Sequence, residues 1–383
     1  MKRIGILGST GSVGSQALEI IKENFDKFEV VFLSANSNIE KLHEQYKIFS
    51  PKYICLSDQK RYKEAKQIFK ESHVLSEFQG MIDLCRLEDV DIILNSISGY
   101  KGVFLSLETL KFKTDLALSN KESIVQAGHL LMPLALKNNT NIFPVDSEHS
   151  ALWQCLVGEK KENIKKIILT ASGGPFRTLG IEEFKQITKE QALNHPNWEM
   201  GKKITIDSAT MMNKGFEVIE AFWLFSVSYE NIDIVVHPQS IIHSLVEFVD
   251  GSVKAQLSDP TMKIPIQYAF TYPNRIKMKE MNFNFVKNNH LTFEEVDLKK
   301  FKCIKLAYEA GKNGGSYPTV LNVSNDIAVD LFLKDVIDFN SIPKIVDSCM
   351  QKHQNISKPS IEEIEYVMES TEKFIYNQLV KVK

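Results

Sequence analysis

Hydrophobic and polar positions follow two rhythms along this chain. In the first third, short apolar runs alternate with stretches of helical spacing. The runs are Ile4–Leu7, Val30–Ala35, Tyr53–Leu56, Asp91–Asn95, Leu116–Ser119 and Asn141–Val145, and Val13, Ala17, Ile20 and Ile21 illustrate the helical spacing. The alternation predicts βαβ units in a parallel, doubly wound sheet. From about Asp146 to Tyr272 the rhythm is mixed. Ile167–Thr170, Ile204–Ile206, Ile232–Val236, Ile241–Val249 and Ser252–Leu257 read as strands, with the Asp250-Gly251 pair as a hairpin turn between the last two. The stretch Tyr272–Leu291, rich in Asn and bearing Pro273, reads as a linker. Helical spacing then takes over at Phe301–Gly311, Ser324–Leu333, Ile342–Lys352 and from Ile361, where Ser360 and Glu363 fit a capping box. The fold class expected is α/β. A Rossmann-like parallel sheet spans 1–145 and a second α/β domain spans 146–272. A linker covers 273–297 and a helical bundle covers 298–383.

Composition removes alternatives more than it adds any. The chain is 43% hydrophobic and 25% charged over 383 residues, which suits a globular protein of more than one domain. With 46 basic and 48 acidic residues in no single-sign block, a nucleic-acid partner is not expected. No apolar run is long enough to span a bilayer, so no membrane partner is expected either. Cys55, Cys85, Cys155, Cys303 and Cys349 are dispersed, without a CxxC, as in a reducing compartment. Strand-like Ile4–Leu7 follows Met1 almost at once, so a cytoplasmic protein without a signal segment is expected.

Candidate chemistry gathers after the predicted strands. Gly8-Ser9-Thr10-Gly11-Ser12-Val13-Gly14 follows the first strand and opens the first helix, as a loop that cradles a pyrophosphate must. The same spacing also suits a tight strand-to-helix turn with no ligand. After the second strand, Asn36, Ser37 and Asn38 place no carboxylate against a 2′-phosphate and no cation to bind one; Lys41 is the nearest base. Asp146-Ser147-Glu148 follows the sixth run, and in an extended stretch residues two apart face the same side. Asp146 and Glu148 would then converge on a hard divalent cation such as Mg²⁺ or Mn²⁺. The plainer reading is a helix start, with Asp146 or Ser147 as cap and Glu148 in the first turn. Asn213, Lys214 and Glu217 share a helical face that suits a phosphorylated, metal-bound ligand or, more plainly, a solvated Lys–Glu pair. Ser172, before Gly173-Gly174, and Ser208 could join Asn213 and Lys214 around a terminal phosphate. His195-Pro196-Asn197-Trp198-Glu199-Met200-Gly201 has no period and carries Trp198, so it reads as a lid or as a loop pinned into the core. His237 and His243 on strands are read as structural, and Cys155 as a buried small hydrophobe.

Taken together, the segments Leu7–Gly14, Ala117–Ser123, Pro144–Ala151, Ala171–Arg177, 195–201, Asp207–Ala221 and Val236–Ser244 resemble the 1-deoxy-D-xylulose 5-phosphate reductoisomerase family. They cover most of residues 1–275 in the family's order. The resemblance implies rearrangement of a sugar phosphate by a retro-aldol and aldol sequence, with reduction by NADPH, to 2-C-methyl-D-erythrose 4-phosphate. It implies metal ligation by Asp146, Glu148 and Glu217, and catalytic roles for these with Lys121. It implies substrate contacts by Lys121, Ser147, Glu148, Ser172, His195, Trp198, Ser208, Asn213, Lys214 and Glu217. Nucleotide contacts are implied for Thr10, Gly11, Ser12, Val13, Asn36, Ser37, Asn38 and Asn120, with Glu122 and Gly201 close by. It further implies a homodimer joined through strands of the middle region, which makes 146–272 the catalytic and dimerisation domain. Family members often carry Ala-Gly-Lys-Asn or Ala-Gly-Arg-Asn where this chain has Ala35-Asn36-Ser37-Asn38, and a weaker preference for NADPH over NADH is expected from that departure. A semialdehyde dehydrogenase-like enzyme would need a cysteine nucleophile with a paired base, which no cysteine context offers. A nucleotide-sensing protein without catalysis would have no use for carboxylates together with phosphate donors.

Overall fold

Strands form where the apolar runs are shortest and least interrupted. The computed structural model describes residues 1–194, 200–279 and 282–382. Strands β1 (Lys2–Leu7), β2 (Phe28–Ala35), β3 (Tyr53–Leu56), β4 (His73–Ser76), β5 (Ile92–Asn95), β6 (Asp115–Leu118) and β7 (Ile142–Pro144) make one sheet in the order β4-β3-β2-β1-β5-β6-β7. All its neighbours pair in parallel. The strand order reverses direction between β1 and β5, which is where such a sheet opens a ligand crevice beyond its carboxyl ends. Strand β4 was not expected. Its His-Val-Leu-Ser is a four-residue edge strand with no fully buried position, too short and too half-exposed to give a hydrophobic signal.

Strands β8 (Ile164–Ala171), β9 (Ile232–Val236), β10 (Ile242–Phe248) and β11 (Val253–Leu257) form a mixed sheet in the order β11-β10-β8-β9. Strands β8 and β9 are parallel, and β10 is antiparallel to both β8 and β11. The hairpin turn falls at Gly251, whose φ of +84° is the left-handed conformation that glycine tolerates. The expected strand Ile204–Ile206 is instead the middle of a helix, Lys202–Ala209. An Ile-Thr-Ile triplet is too short to fix a period. Here Lys203 and Asp207, four apart, pair at 2.8 Å, and Asp207 also accepts from Asn325 Nδ2 at 2.7 Å, so tertiary contacts select the helix.

Helices Lys302–Asn313, Tyr317–Leu333, Ser341–Lys352 and Ile361–Val382 occupy the expected helical region, the second starting at Tyr317 and not at Ser324. The capping box is formed: Glu363 accepts from the Ser360 amide at 2.8 Å and Ser360 Oγ from the Glu363 amide at 3.2 Å.

Internal contacts divide the chain into two units, Met1–Ser150 with Thr261–Asn282, and Ala151–Pro260 with Phe283–Lys383. This grouping differs from one cut at 272/273. The helix Lys263–Thr271 returns to the first unit, where Lys263 pairs with Glu19 at 2.6 Å and Phe270 meets Phe28 edge-on. The closing helices belong with the second unit, whose core joins Phe176, Phe184 and Ile206 to Ile304, Phe332 and Phe339. Each such buried side chain contributes about 1.5–3 kcal/mol of hydrophobic stabilisation. The first unit's core gathers Leu7, Phe32, Leu84, Ile93 and Leu105. Among the described residues no helix is long and apolar enough to cross a membrane.

Candidate active site

The glycine loop after β1 is shaped by close packing. Gly8 has φ +84°, and Gly11 donates its amide to the Gly8 carbonyl at 3.1 Å. The helix Ser12–Lys22 starts immediately after. A Cβ on Gly14 would overlap the Gly8 carbonyl and come within 2.7 Å of Ser9 Cα, so glycine lets the helix press directly onto the loop. Ser12 and Val13 stand in the first turn of that helix, where backbone amides lack a partner one turn back and can hold an anion.

The turn after β2 is tied to the segment after β3, since the two strands are neighbours. Asp58 donates its amide to Asn36 O at 2.9 Å, and Ser57 Oγ donates to Asn36 Oδ1 at 3.1 Å. Asn38 caps the helix Ile39–Phe49, its Oδ1 accepting from the Lys41 amide at 3.0 Å. Arg61 Nη1 donates to Ser37 O at 3.1 Å. Sequence reasoning missed Arg61, which lies far along the chain from Ser37. The pointer available was topological, because loops after adjacent parallel strands emerge side by side.

After β6, Asn120 caps the helix Lys121–Asn138 and accepts from the Ser123 amide at 3.0 Å. Its Nδ2 donates to Ile97 O, Gly99 O and Glu122 Oε2 at 3.1, 3.0 and 2.9 Å. Glu122 Oε1 accepts from the Gly99 amide at 3.1 Å. These two residues therefore fix the loop after β5 to the helix after β6, at the same edge as the glycine loop.

Lys121 opens that helix, and Asp146 lies just beyond β7. Adjacent strands bring them together: Lys121 Nζ donates to Asp146 Oδ2 at 2.8 Å. His149 Nδ1 is 3.7 Å from the same oxygen. Asp146, Ser147 and Glu148 are not extended. A helix runs from Ser147 to Leu156, the Ser150 amide donates to Asp146 O at 2.8 Å, and the Ser147 amide donates to Asp146 Oδ1 at 3.0 Å. The helix start, and not strand alternation, therefore governs Asp146 and Glu148. Glu148 is in the first turn, its Oε2 accepting from Ser147 Oγ at 2.5 Å.

In the second unit, the loop after β8 turns on Gly173 and Gly174, at φ +83° and +66°. Ser172 Oγ accepts from the Gly174 amide at 3.2 Å. A Cβ on Gly174 would come within 2.7 Å of Ser208 O, so glycine brings this loop against the helix Lys202–Ala209 that carries Ser208. Gly201 precedes that helix as its cap. Met211 then takes the left-handed conformation, φ +61°, and starts the helix Met212–Phe225. On it, Glu217 is completely buried. Its Oε1 accepts from Asn213 Nδ2 at 2.6 Å and its Oε2 from Lys214 Nζ at 2.5 Å. The expected shared face is therefore present, but it is interior and not solvated. His195 and Trp198, with the rest of 195–199, lie outside the described residues.

His237 and His243 are occupied as structural groups, with Thr292 O at 2.8 Å and Ser258 Oγ at 2.9 Å. All five cysteines are buried. Burial pushes the thiols of Cys55, Cys85, Cys303 and Cys349 up to about 12 and that of Cys155 up to about 11, so none supplies a thiolate at neutral pH. A cavity of about 380 Å³ lined by Pro175, Phe176, Leu179, Gln191 and Asn194 offers no charge to hold a phosphate or a cation.

Comparison with known proteins follows the same residues. Residues 4–128 match the model of 1-deoxy-D-xylulose 5-phosphate reductoisomerase. Residues 142–225 and 257–374 match two models of that enzyme's C-terminal domain. A relative from Chloroherpeton thalassium bearing that enzyme's name is 49% identical over 99% of this chain and 98% of its own. One from Clostridium tetani is 50% identical over 95% and 96%. Among solved structures, the Zymomonas mobilis reductoisomerase in complex with NADPH superposes with a TM-score of 0.93 at 35% identity, over 99% of each chain. A reductoisomerase in complex with NADPH, fosmidomycin and magnesium gives 0.94 at 36% identity, over 100% of this chain and 99% of its own.

Proposed function

The chain belongs to the 1-deoxy-D-xylulose 5-phosphate reductoisomerase family, and from that premise we propose how its residues divide the work. It is an NADPH- and divalent-metal-dependent enzyme that rearranges and reduces 1-deoxy-D-xylulose 5-phosphate to 2-C-methyl-D-erythrose 4-phosphate. When bound, NADPH supplies the hydride and the divalent ion draws charge from adjacent substrate oxygens.

Nucleotide binding falls to Thr10, Gly11, Ser12 and Val13, to Asn36, Ser37 and Asn38, and to Asn120, Glu122 and Gly201. What supports this is the common origin of most of them at the carboxyl ends of β1, β2 and β6, beside the reversal in strand order. Metal binding falls to Asp146, Glu148 and Glu217. Their donors are all carboxylate oxygens, the set that Mg²⁺ or Mn²⁺ prefers. The observation that carries this reading is Glu217, a completely buried carboxylate on a helix that also presents Lys214 and Asn213. A charge so buried needs a functional or structural reason, and Lys214 and Asn213 face it from the same helix.

Ser172, Ser208, Asn213 and Lys214, with His195, hold the substrate phosphate. That remote grip fixes the sugar so that the reacting carbons lie in register. Lys121, Ser147 and Glu148 contact the reacting end. Lys121, through its bond to Asp146, is positioned to stabilise negative charge there or to pass a proton. The working form is a homodimer. The open edge at β11, where Val253 is 51% exposed, supports pairing through the mixed sheet. Five unpaired cysteines support a reducing, cytoplasmic setting.

NADPH consumption with 1-deoxy-D-xylulose 5-phosphate and Mn²⁺ tests the whole reading. Turnover should vanish with a chelator and return with Mg²⁺ or Mn²⁺. Full turnover by the metal-stripped protein would overturn the metal assignment.

A further inference from the structure

The turn Asn36-Ser37-Asn38 carries no charge, yet it lies at the end of β2, where the adenosine ribose of a dinucleotide is held in sheets of this kind. A cation would hold a 2′-phosphate there more selectively than the amide and hydroxyl donors of the turn alone. We propose that Arg61, reaching over from the segment after β3, receives the 2′-phosphate of NADPH and sets the preference for NADPH over NADH. The proposal rests on the NADPH reading above and adds the residue that makes it selective.

The geometry starts with strand pairing. Ala35 stands opposite Leu56 in the parallel β2–β3 pair, so the chain leaves both strands at the same edge. Ser57 donates its amide to Ala35 O at 3.0 Å and Asp58 to Asn36 O at 2.9 Å, which lays the second segment along the first. A short helical turn, Gln59–Arg61, then swings Arg61 back, and its Nη1 donates to Ser37 O at 3.1 Å. The guanidinium is thus fixed beside the turn by a bond to its backbone.

The other contacts of Arg61 show how the site can open. Glu64 accepts from Nε at 2.9 Å and from Nη2 at 3.0 Å, a two-point contact within the same short stretch of chain that orients the plane of the fork. Glu40 accepts from Nη2 at 2.6 Å and from Nη1 at 3.2 Å. Glu40 is 70% exposed and Arg61 29% exposed, so solvent screens the Glu40 pair and an incoming phosphate dianion, with more charge and more oxygens, can replace it. The Glu40 carboxylate therefore marks the position of an anion on the fork. The helix Ile39–Phe49 begins at the same turn and adds the partial positive charge of its N-terminus.

Calorimetric titration of the full-length protein with NADPH and with NADH tests this without turnover. Arg61→Gln should weaken NADPH binding about 10- to 100-fold, the range expected for a lost charge-assisted hydrogen bond, and change NADH binding less than about twofold. Glu40→Gln should tighten NADPH binding. Arg61→Gln with Glu40→Gln should remain weak, and adding Ser37→Arg to Arg61→Gln should restore much of the lost affinity by placing a guanidinium at the same turn. Unchanged NADPH affinity in Arg61→Gln overturns the proposal. So does equal weakening of NADH, which would mean a general disturbance of the turn. Recovery in the Arg61→Gln, Glu40→Gln double variant also overturns it, because the loss would then have been repulsion by an uncovered Glu40. A wild-type protein that binds NADH as tightly as NADPH would count against the NADPH reading itself, and the proposal would fall with it.

Discussion

Two lysine–carboxylate pairs, one in each unit, carry the candidate chemistry, and they are built differently. Lys121 and Asp146 come from the ends of neighbouring strands, meet at 2.8 Å, and keep 10% and 18% of their side chains exposed. Lys214 and Glu217 are three apart on one helix, meet at 2.5 Å, and are 5% and 0% exposed. The first pair exists because the sheet places two helix starts side by side. The second exists because of helical spacing, and the surrounding core then shuts water out. Burial is the physical difference that matters. In the second pair little solvent remains to take over from a missing partner, whereas in the first water can compensate in part. The second pair should therefore dominate both stability and catalysis when it is disturbed.

The largest expected effect is that of Glu217→Gln. It removes one carboxylate from the proposed metal set, so kcat should fall by about 10²- to 10³-fold and metal affinity should drop. Repulsion among carboxylates alone would make the change stabilising. The bond from Lys214 reverses that sign, since a buried ammonium loses its counter-charge, and a destabilisation of about 3 kcal/mol is expected. Assays well below the Tm separate the two effects. Adding Lys214→Met should recover stability without recovering turnover. Metal affinity unchanged by Glu217→Gln would sink the assignment.

Next in size is Lys214→Ala. It leaves Glu217 buried with Asn213 as its remaining side-chain donor among the bonds described above. The unfolding free energy should fall by about 3–5 kcal/mol. The KM for the sugar phosphate should rise with some loss of kcat, and NADPH affinity should stay nearly constant. Loss of NADPH affinity with the substrate KM intact would mean that Lys214 serves the other ligand. Lys121→Ala should be milder in stability, about 1–2 kcal/mol by urea denaturation, because its pair is wetter. Its kcat should still fall clearly, since Lys121 is assigned to the reacting end. A stability loss equal to that of Lys214→Ala would erase the distinction between the pairs.

The same contrast explains what could be read from the chain beforehand. Lys214 and Glu217 were legible as neighbours because helical spacing is local. Asp146 was singled out by its place after a strand and Lys121 through the family's motifs, but their bond depends on β6 and β7 being adjacent, which no local pattern states. Asp146 and Glu148 were read either as strand residues converging on a cation or as a helix start with Glu148 in its first turn. The chain turns helical at Ser147, where the Ser150 amide bonds back to Asp146 O. The parallel sheet was legible except for β4, whose short edge gives no periodic signal. Ile204–Ile206 failed for the opposite reason: an alternating triplet mimics a strand until Asp207 finds Lys203 and Asn325. Arg61 was invisible for the same reason as the Lys121–Asp146 bond, since it too rests on two strands being neighbours.

An exposed pair gives the baseline for the comparison and the smallest expected effect. Arg3 Nη2 and Asp91 Oδ1 meet at 2.7 Å, but their side chains remain 40% and 37% exposed, so screening should leave little net stabilisation. The Arg3 guanidinium, by hydrogen bonding, holds the Asp91 carboxyl below its ordinary value of 3.8. A carboxyl depressed in the folded state binds fewer protons there than in the unfolded state. Its contribution is therefore fully present above 3.8 and is lost as pH falls through the lower, native value. Arg3→Gln should lower the Tm at neutral pH by the least of the series. The difference from wild type should shrink further in high salt and close as pH falls below 3.8. Thermal scans of both proteins across that range, at low and high salt, measure it. If Arg3→Gln destabilised as much as Lys214→Ala, or if its effect grew on acidification, burial would not be what ranks these pairs.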